Sequence, residues 1–171
     1  SCILPPNKTI LWVGGATSID RTFRLTTMEQ NAREYMRWHF GVPYEEAIKR
    51  CSQLYWKDEQ TVYDEDKLSE INDSGIEIEY VCTHTCPSFC EPIGKNKIQS
   101  WLIRDEDLEK DLDYERHVMD NIHLFLKDNN HPVKAWYYGH YHYHKFFIIE
   151  DIKYYLLDMG HNGNFDMVEM I

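Results

Sequence analysis

Three histidines occupy positions where a chain can place metal ligands. Gly139-His140-Tyr141-His142 follows the apolar run Val133-Lys134-Ala135-Trp136-Tyr137-Tyr138. A β-prone run that ends in glycine predicts a buried strand that stops and turns. His140 and His142 leave that turn one residue apart, close enough to serve one metal ion or two adjacent ions. Neutral imidazole is the commonest protein metal ligand, and glycine lets backbone approach an ion without a Cβ clash. His84 ends a second β-prone run, Tyr80-Val81-Cys82-Thr83-His84-Thr85-Cys86-Pro87. His144 continues the alternate spacing and reads as exposed on the emerging hairpin, and His161 reads as a turn residue. An all-nitrogen ligand set suits Zn²⁺ or Ni²⁺ better than Mn²⁺ or Mg²⁺.

The cysteines are a weaker chemical signal. Cys82, Cys86 and Cys90 recur at every fourth position around His84, but the spacing is not that of a zinc knuckle. A strand would also turn Cys82 away from its neighbour. Packed or loop thiols are the simpler reading.

The elements that must hold these residues follow from patterning. Lys8 to Val13 reads as a strand ended by Gly14-Gly15, with a polar loop from Ala16 to Arg21. That Gly-Gly is no phosphate loop, because the Gly-Lys-Ser/Thr ending is absent. Helical spacing predicts a helix from Met28 to about His39, with Ala32, Tyr35, Met36 and Phe40 on one side. Pro43 opens a second helix with Ala47 and Ile48 inward, and Asp64 to Ile71 forms a third capped by Asp64 or nearby acids. Ile76 to Thr83 reads as a strand, and Pro87 to Lys97 as a loop. Asp105 to Lys127 is the longest helix, with Tyr114, Val118, Ile122 and Phe125 as its buried stripe and its acidic start solvated. Asn129-Asn130-His131-Pro132 stops it. Lys145 to Ile149 and Tyr154 to Leu157 then read as strands joined at Asp151, and Asn162-Gly163 as a turn leading into Phe165 to Met170. The aromatic cluster of Trp136, Tyr137, Tyr138, Tyr141, Tyr143 and Phe146 reads as a sheet core and its edges. The fold class is α/β, a mixed sheet with antiparallel C-terminal strands.

Bulk properties narrow the function classes. The 171 residues suit a single domain, 1–171, and a chain of that size can bury about 70% of its unfolded surface. Hydrophobic residues at 43% and aromatics at 14% fit a globular core. A net charge of −11 argues against a broad nucleic-acid surface or an anionic membrane surface. No apolar run approaches a membrane span, and no signal peptide opens the chain. The five cysteines (Cys2, Cys51, Cys82, Cys86, Cys90) are an odd number, which predicts a reduced, cytoplasmic setting.

Taken in order, these motifs resemble the calcineurin-like metallophosphoesterases. Val81-Cys82-Thr83-His84 resembles the family's fourth metal motif, a strand ending in a histidine ligand, and Gly139-His140-x-His142 resembles its fifth. Gly14-Gly15-Ala16-x-Ser18-Ile19-Asp20-Arg21 is similar to a segment of one bacterial and phage-like branch. Trp56-Lys57-Asp58-Glu59 is similar to that branch's Trp-x-x-Glu stretch. The resemblance implies a partial αββα sandwich, with His84 and His140 on one metal and His142 on the other. It implies two divalent ions (Mn, Fe, Zn or Ni) and a hydroxide attacking a phosphate mono- or diester. Asp20, Arg21 and Arg24 would bind substrate, although an Asp–Arg brace is the other reading of the same residues. Trp56 and Glu59 read as packing and a cap.

The family's Asp-x-His, Gly-Asp-x-x-Asp and Gly-Asn-His motifs belong upstream of Gly14 and have no counterpart here. Asp20, Asp158 and Asp166 are in no motif that would supply the bridging carboxylate. The chain therefore reads as the C-terminal half of a phosphoesterase. Its partners would be a phosphoester substrate and either the missing N-terminal half or further copies of itself. The alternative is a non-catalytic binding or assembly module that keeps the half-fold, with one sheet face left apolar and exposed.

Overall fold

A computed structural model describes residues 8–52, 58–90, 98–141 and 144–158. It holds a five-stranded mixed sheet in the order β1-β2-β3-β5-β4. The strands are β1 (Ile10–Val13), β2 (Tyr80–Thr83), β3 (Ala135–Tyr138), β4 (Lys145–Ile149) and β5 (Ile152–Leu156). β1, β2, β3 and β5 run parallel, with Val13, Thr83, Tyr138 and Leu156 in one row, and β4 is antiparallel to β5 at the edge. All four parallel strands thus end on the same side of the molecule. Lys145 pairs with Leu156, so the segment entering β4 begins on that side too.

The helices are α1 (Arg21–Trp38), α2 (Tyr44–Cys51), α3 (Glu65–Asp73), the short α4 (Gln99–Leu102) and α5 (Leu108–Asp128). Strand alternation sends Val81, Trp136, Tyr138, Tyr154 and Leu156 to one face. There they form the main core with Leu68 of α3 and Val118, Met119, Ile122 and Leu126 of α5. Strands buried on this face carry the aromatic and β-branched residues that favour a pleated surface. The opposite face groups Tyr80, Ala135 and Tyr137 with Ile10, Cys82, Tyr155 and Leu157. At its margins Trp12, Phe146 and Ile148 are exposed.

Several expected elements hold. Pro43 precedes α2, Ala47 is buried, and the Asp64 side chain accepts the Lys67 amide as the N-cap of α3. Others shift. α1 begins at Arg21 instead of Met28. Thr22, Thr26 and Thr27 lower helix propensity there and hide its first turns. Phe40 lies beyond the helix and is fully exposed rather than part of its inner side. β2 is shorter than Ile76 to Thr83. Its expected first half bonds elsewhere: the Ile78 amide donates to His131 Nδ1, and the Glu79 amide to the Thr9 carbonyl. Tyr114 is exposed, because α5 presents Leu108, Glu115, Val118, Met119, Ile122, His123 and Leu126 inward. Val118, Ile122 and Phe125 of the expected stripe do face the core, and Glu115 and His123 join them. The C-terminal strand runs Ile152–Leu156, and Tyr143 and Phe165 to Met170 lie outside the described residues. No described helix is long and apolar enough to cross a membrane.

Candidate functional site

In parallel sheets, ligands bind beyond the carboxyl ends of the strands, where loops diverge. His84 is the first residue past β2, and Gly139-His140 are the first two past β3. Because β2 and β3 are neighbours in register, these histidines meet. His84 Nε2 lies 3.1 Å from His140 Nδ1, the two rings edge-on with centroids 5.0 Å apart. The Gly139 amide donates to the His84 carbonyl at 3.2 Å, which ties the two strand ends together.

Each histidine is presented by a strained or tightly bonded turn. Trp136 Nε1 donates to Thr83 Oγ1, and Thr83 Oγ1 in turn donates to the Thr85 carbonyl. Thr83 and Thr85 are thereby buried, and His84 between them is turned outward and exposed. His140 has φ 72, and the Tyr141 amide donates back to the Gly139 carbonyl at 2.9 Å. That is a γ-turn in its rare, positive-φ form. Strain of this kind collects where a protein must aim a side chain. A Cβ on Gly139 would meet no protein atom within 4 Å, so packing does not demand glycine there and the space around it is open.

Beneath the pair, α5 holds the edge loops in place. Thr85 Oγ1 and the Tyr141 hydroxyl are 3.0 Å apart. Arg116 lies over the Tyr141 ring at 5.2 Å and donates to the Cys86 carbonyl at 3.0 Å and its Sγ at 2.9 Å. Burial raises the Tyr141 hydroxyl well above its usual range and pushes the Cys86 thiol up to about 11, against the opposing pull of Arg116. Both stay neutral. Buried Glu115 accepts the Thr17 amide, and Asp120 accepts the Ser88 amide at 2.8 Å. One helix thus fixes the loops that follow β1, β2 and β3. Thr85, Glu115, Arg116 and Tyr141 had no motif to mark them; an acid within the buried stripe of a helix, with an arginine beside it, was the available signal.

The other expected residues fall as follows. Arg21 donates through Nε and Nη2 to Asp105 and through Nη1 to Asp111, which keeps its guanidinium charged. Asp105 is drawn below the usual carboxylate range by that contact. The acidic start of α5 is therefore partly tied down rather than simply solvated. Arg24 donates to Asp20 at 2.7 Å along one helix turn. Asp20, Arg21 and Arg24 stand where the loop from β1 enters α1, and they make these braces. Glu59 Oε1 accepts the Ser18 amide at 2.9 Å. His144, exposed, precedes β4 at the same edge, and Asp158 follows β5 there. His142, Trp56, His161 and Asp166 lie outside the described residues. Cys86 and Cys90 are buried in the main core and Cys82 groups with the opposite face, so these thiols do not converge.

The donor set can be tested against an ion. Two nitrogens each about 2.0–2.1 Å from one Zn²⁺ in tetrahedral geometry stand roughly 3.3 Å apart, and the observed separation is 3.1 Å. By distance the His84–His140 pair suits two ligand positions of one divalent ion, and the same 3.1 Å is that of a hydrogen bond from one imidazole to the other. Among the described residues no third His, Cys, Asp or Glu joins it. Compared with protein-family models, curated proteins and solved structures, the chain matches none.

Proposed function

We propose that the carboxyl edge of the sheet is a divalent-metal site of a phosphoester-hydrolysing domain related to the calcineurin-like metallophosphoesterases. On this reading the sheet and its α3–α5 layer are one half of an αββα sandwich. The observation that carries the reading is the His84–His140 nitrogen pair, 3.1 Å apart at the ends of adjacent parallel strands. His84 and His140 hold one ion, and His142 is the expected ligand for a second. A bound divalent ion would supply an electrophile for phosphoryl oxygens and lower the pKa of a water molecule. The chain's own contribution is positional. The γ-turn at His140 and the Thr83–Thr85 turn aim the imidazoles, and Tyr141 with Arg116 keeps their loops from collapsing inward.

The test is metal content per chain after incubation with Zn²⁺ or Mn²⁺ and removal of loose ion, followed by hydrolysis of an aryl phosphate. At least one retained ion is expected in the wild type and lost in His84→Ala and His140→Ala, and any metal-stimulated turnover must be lost with it. Retention of no ion, or equal retention by wild type and both variants, would sink the proposal. The exposed Trp12, Phe146 and Ile148 on one sheet face favour a second reading, a non-catalytic assembly module. That module would hydrolyse nothing with or without metal, yet bind a partner or itself.

A further inference from the structure

Among the described residues β4 is an edge strand, paired with β5 on one side and with no strand on the other. Its five residues, Lys145 to Ile149, are apolar after the first, and Phe146 and Ile148 are 47% and 57% exposed. Proteins ordinarily blunt such an edge with charge, proline or a bulge, because its open amides template pairing with another chain.

The hydrogen-bonding directions along β4 can be worked out. Glu150 and Asp151 form a two-residue turn with φ 48 and 66, and Ile149 stands opposite Ile152. In such a hairpin the residues flanking the turn exchange both hydrogen bonds, and the direction alternates from there. The Lys153 and Leu157 amides donate to β3-side carbonyls, at Lys134 and Tyr138, which leaves Ile152, Tyr154 and Leu156 facing β4. Lys145, Phe147 and Ile149 therefore bond to β5. The amides and carbonyls of Phe146 and Ile148 point away from it.

We propose that this edge pairs with the β4 edge of a second copy of the chain, antiparallel about a two-fold axis at Phe147. Phe146 of each copy then lies opposite Ile148 of the other, and they exchange main-chain hydrogen bonds. Aromatic against β-branched is a favourable cross-strand pair. The charges select this partner. The strand starts with His144-Lys145 and is followed by Glu150-Asp151, so antiparallel self-pairing about Phe147 sets His144 opposite the other copy's Glu150 and Lys145 one position away from it. Parallel pairing would set like charges side by side. Both charged ends are accessible: Lys145 Nζ rests over the Phe147 ring at 5.3 Å, and Glu150 meets Lys127 at 2.6 Å on the exposed surface. The contact is smaller than a standard interface of about 1,200–2,000 Å², so the dimer should dissociate on dilution.

Sedimentation equilibrium of the full chain, from low micromolar to near-millimolar concentration, tests this. The expected result is a concentration-dependent rise to twice the chain mass of 20.6 kDa. Ile148→Pro removes an amide that the β4–β5 ladder does not use, and it should stay monomeric with an unchanged far-ultraviolet circular dichroism spectrum. Lys145→Glu should weaken association at least tenfold, and Lys145→Glu combined with Glu150→Lys should recover most of it. Should the proline variant misfold, the charge-reversal pair decides alone. A wild type that is monomeric at every concentration, or a dimer indifferent to Lys145→Glu, overturns the proposal. The result is independent of metal content, so it stands or falls apart from the metal site.

Discussion

His140 adopts φ 72, a backbone conformation that costs a side-chain-bearing residue on the order of 1–3 kcal/mol. The cost is met by its surroundings, since the Gly139 amide is anchored on His84 and the Tyr141 hydroxyl on Thr85. A second residue under the same edge carries its own penalty. Glu115 is 1% exposed, and while one oxygen accepts the Thr17 amide, Oε1 and Thr17 Oγ1 make no well-formed hydrogen bond among the described residues, although the Thr17 and Thr85 hydroxyls lie close enough to oppose the effect of burial. Burial raises its pKa above the ordinary value, with the Thr17 amide pulling the other way. A carboxyl raised in the folded state costs nothing below its unfolded pKa of about 4.3, and its penalty grows as pH rises through the folded value. Glu115→Gln keeps an acceptor for the Thr17 amide and offers Thr17 Oγ1 a donor. The variant should melt above the wild type near neutral pH, with the gap closing as pH falls into the ordinary glutamate range. Thermal melts across that range check it; a gap that stays constant would mean Glu115 is ionised throughout, or that the change is one of packing.

At the scale of elements, the carboxyl edge depends on how the loop leaving β1 is seated. Gly15 has φ 91, and a Cβ there would stand 2.7 Å from the Glu59 carbonyl oxygen and 2.9 Å from the Thr61 amide nitrogen. Thr61 Oγ1 meanwhile donates to the Gly15 carbonyl at 2.7 Å. Gly15→Ala should therefore cost about 1–3 kcal/mol, through the backbone conformation and the close approach together. Gly14→Ala, where a Cβ meets nothing within 4 Å, should be near neutral in the same denaturant titration. Equal losses in the two variants would show that the crowding at Gly15 relaxes freely. The sequence foretold this loop's position from Gly14-Gly15 after an apolar run, but not which glycine matters, since that depends on a segment more than forty residues on. The same division runs through the chain. β1, α2, α3, β3 and the β4–β5 hairpin follow local signals: apolar runs, Pro43, the Asp64 cap, and a two-residue turn. His84 and His140 were legible because each ends a strand, and parallel pairing brings strand ends together. In the α5 stripe Val118, Ile122 and Phe125 face the core as expected and Tyr114 does not, because Glu115 takes the inward place, and a buried polar residue is justified only by partners that local patterning does not reveal.

At the scale of the whole molecule, the helices are attached to the sheet in two different ways. α3 and α5 contribute side chains to the main core beside Trp136 and Tyr154. α1 packs chiefly on α2, and the buried Met28, Ala32 and Ala47 of that hairpin belong to neither apolar cluster of the sheet. Among the described residues, the contacts that fasten the hairpin to α5 are polar. Arg21, 14% exposed at its side chain, bridges Asp105 and Asp111 at the start of α5, and Thr22 adds a hydrogen bond to Asp105 at 3.2 Å. Segments joined by few apolar contacts open as separate cooperative units at less than the global unfolding free energy. The hairpin should therefore be such a unit, with Arg21 setting its opening equilibrium. Losing a charge-assisted bidentate contact is worth about 1.5–3 kcal/mol, which corresponds to an order of magnitude or more in exchange rate. Native-state hydrogen exchange on Arg21→Ala should show amides of α1 and α2 exchanging at least tenfold faster, while β2, β3 and α5 keep wild-type protection. Uniform acceleration across the sheet and α5 would instead mean that the hairpin is integral to one cooperative fold. It would also mean that Arg21 braces the whole carboxyl edge, including the loops that carry His84 and His140.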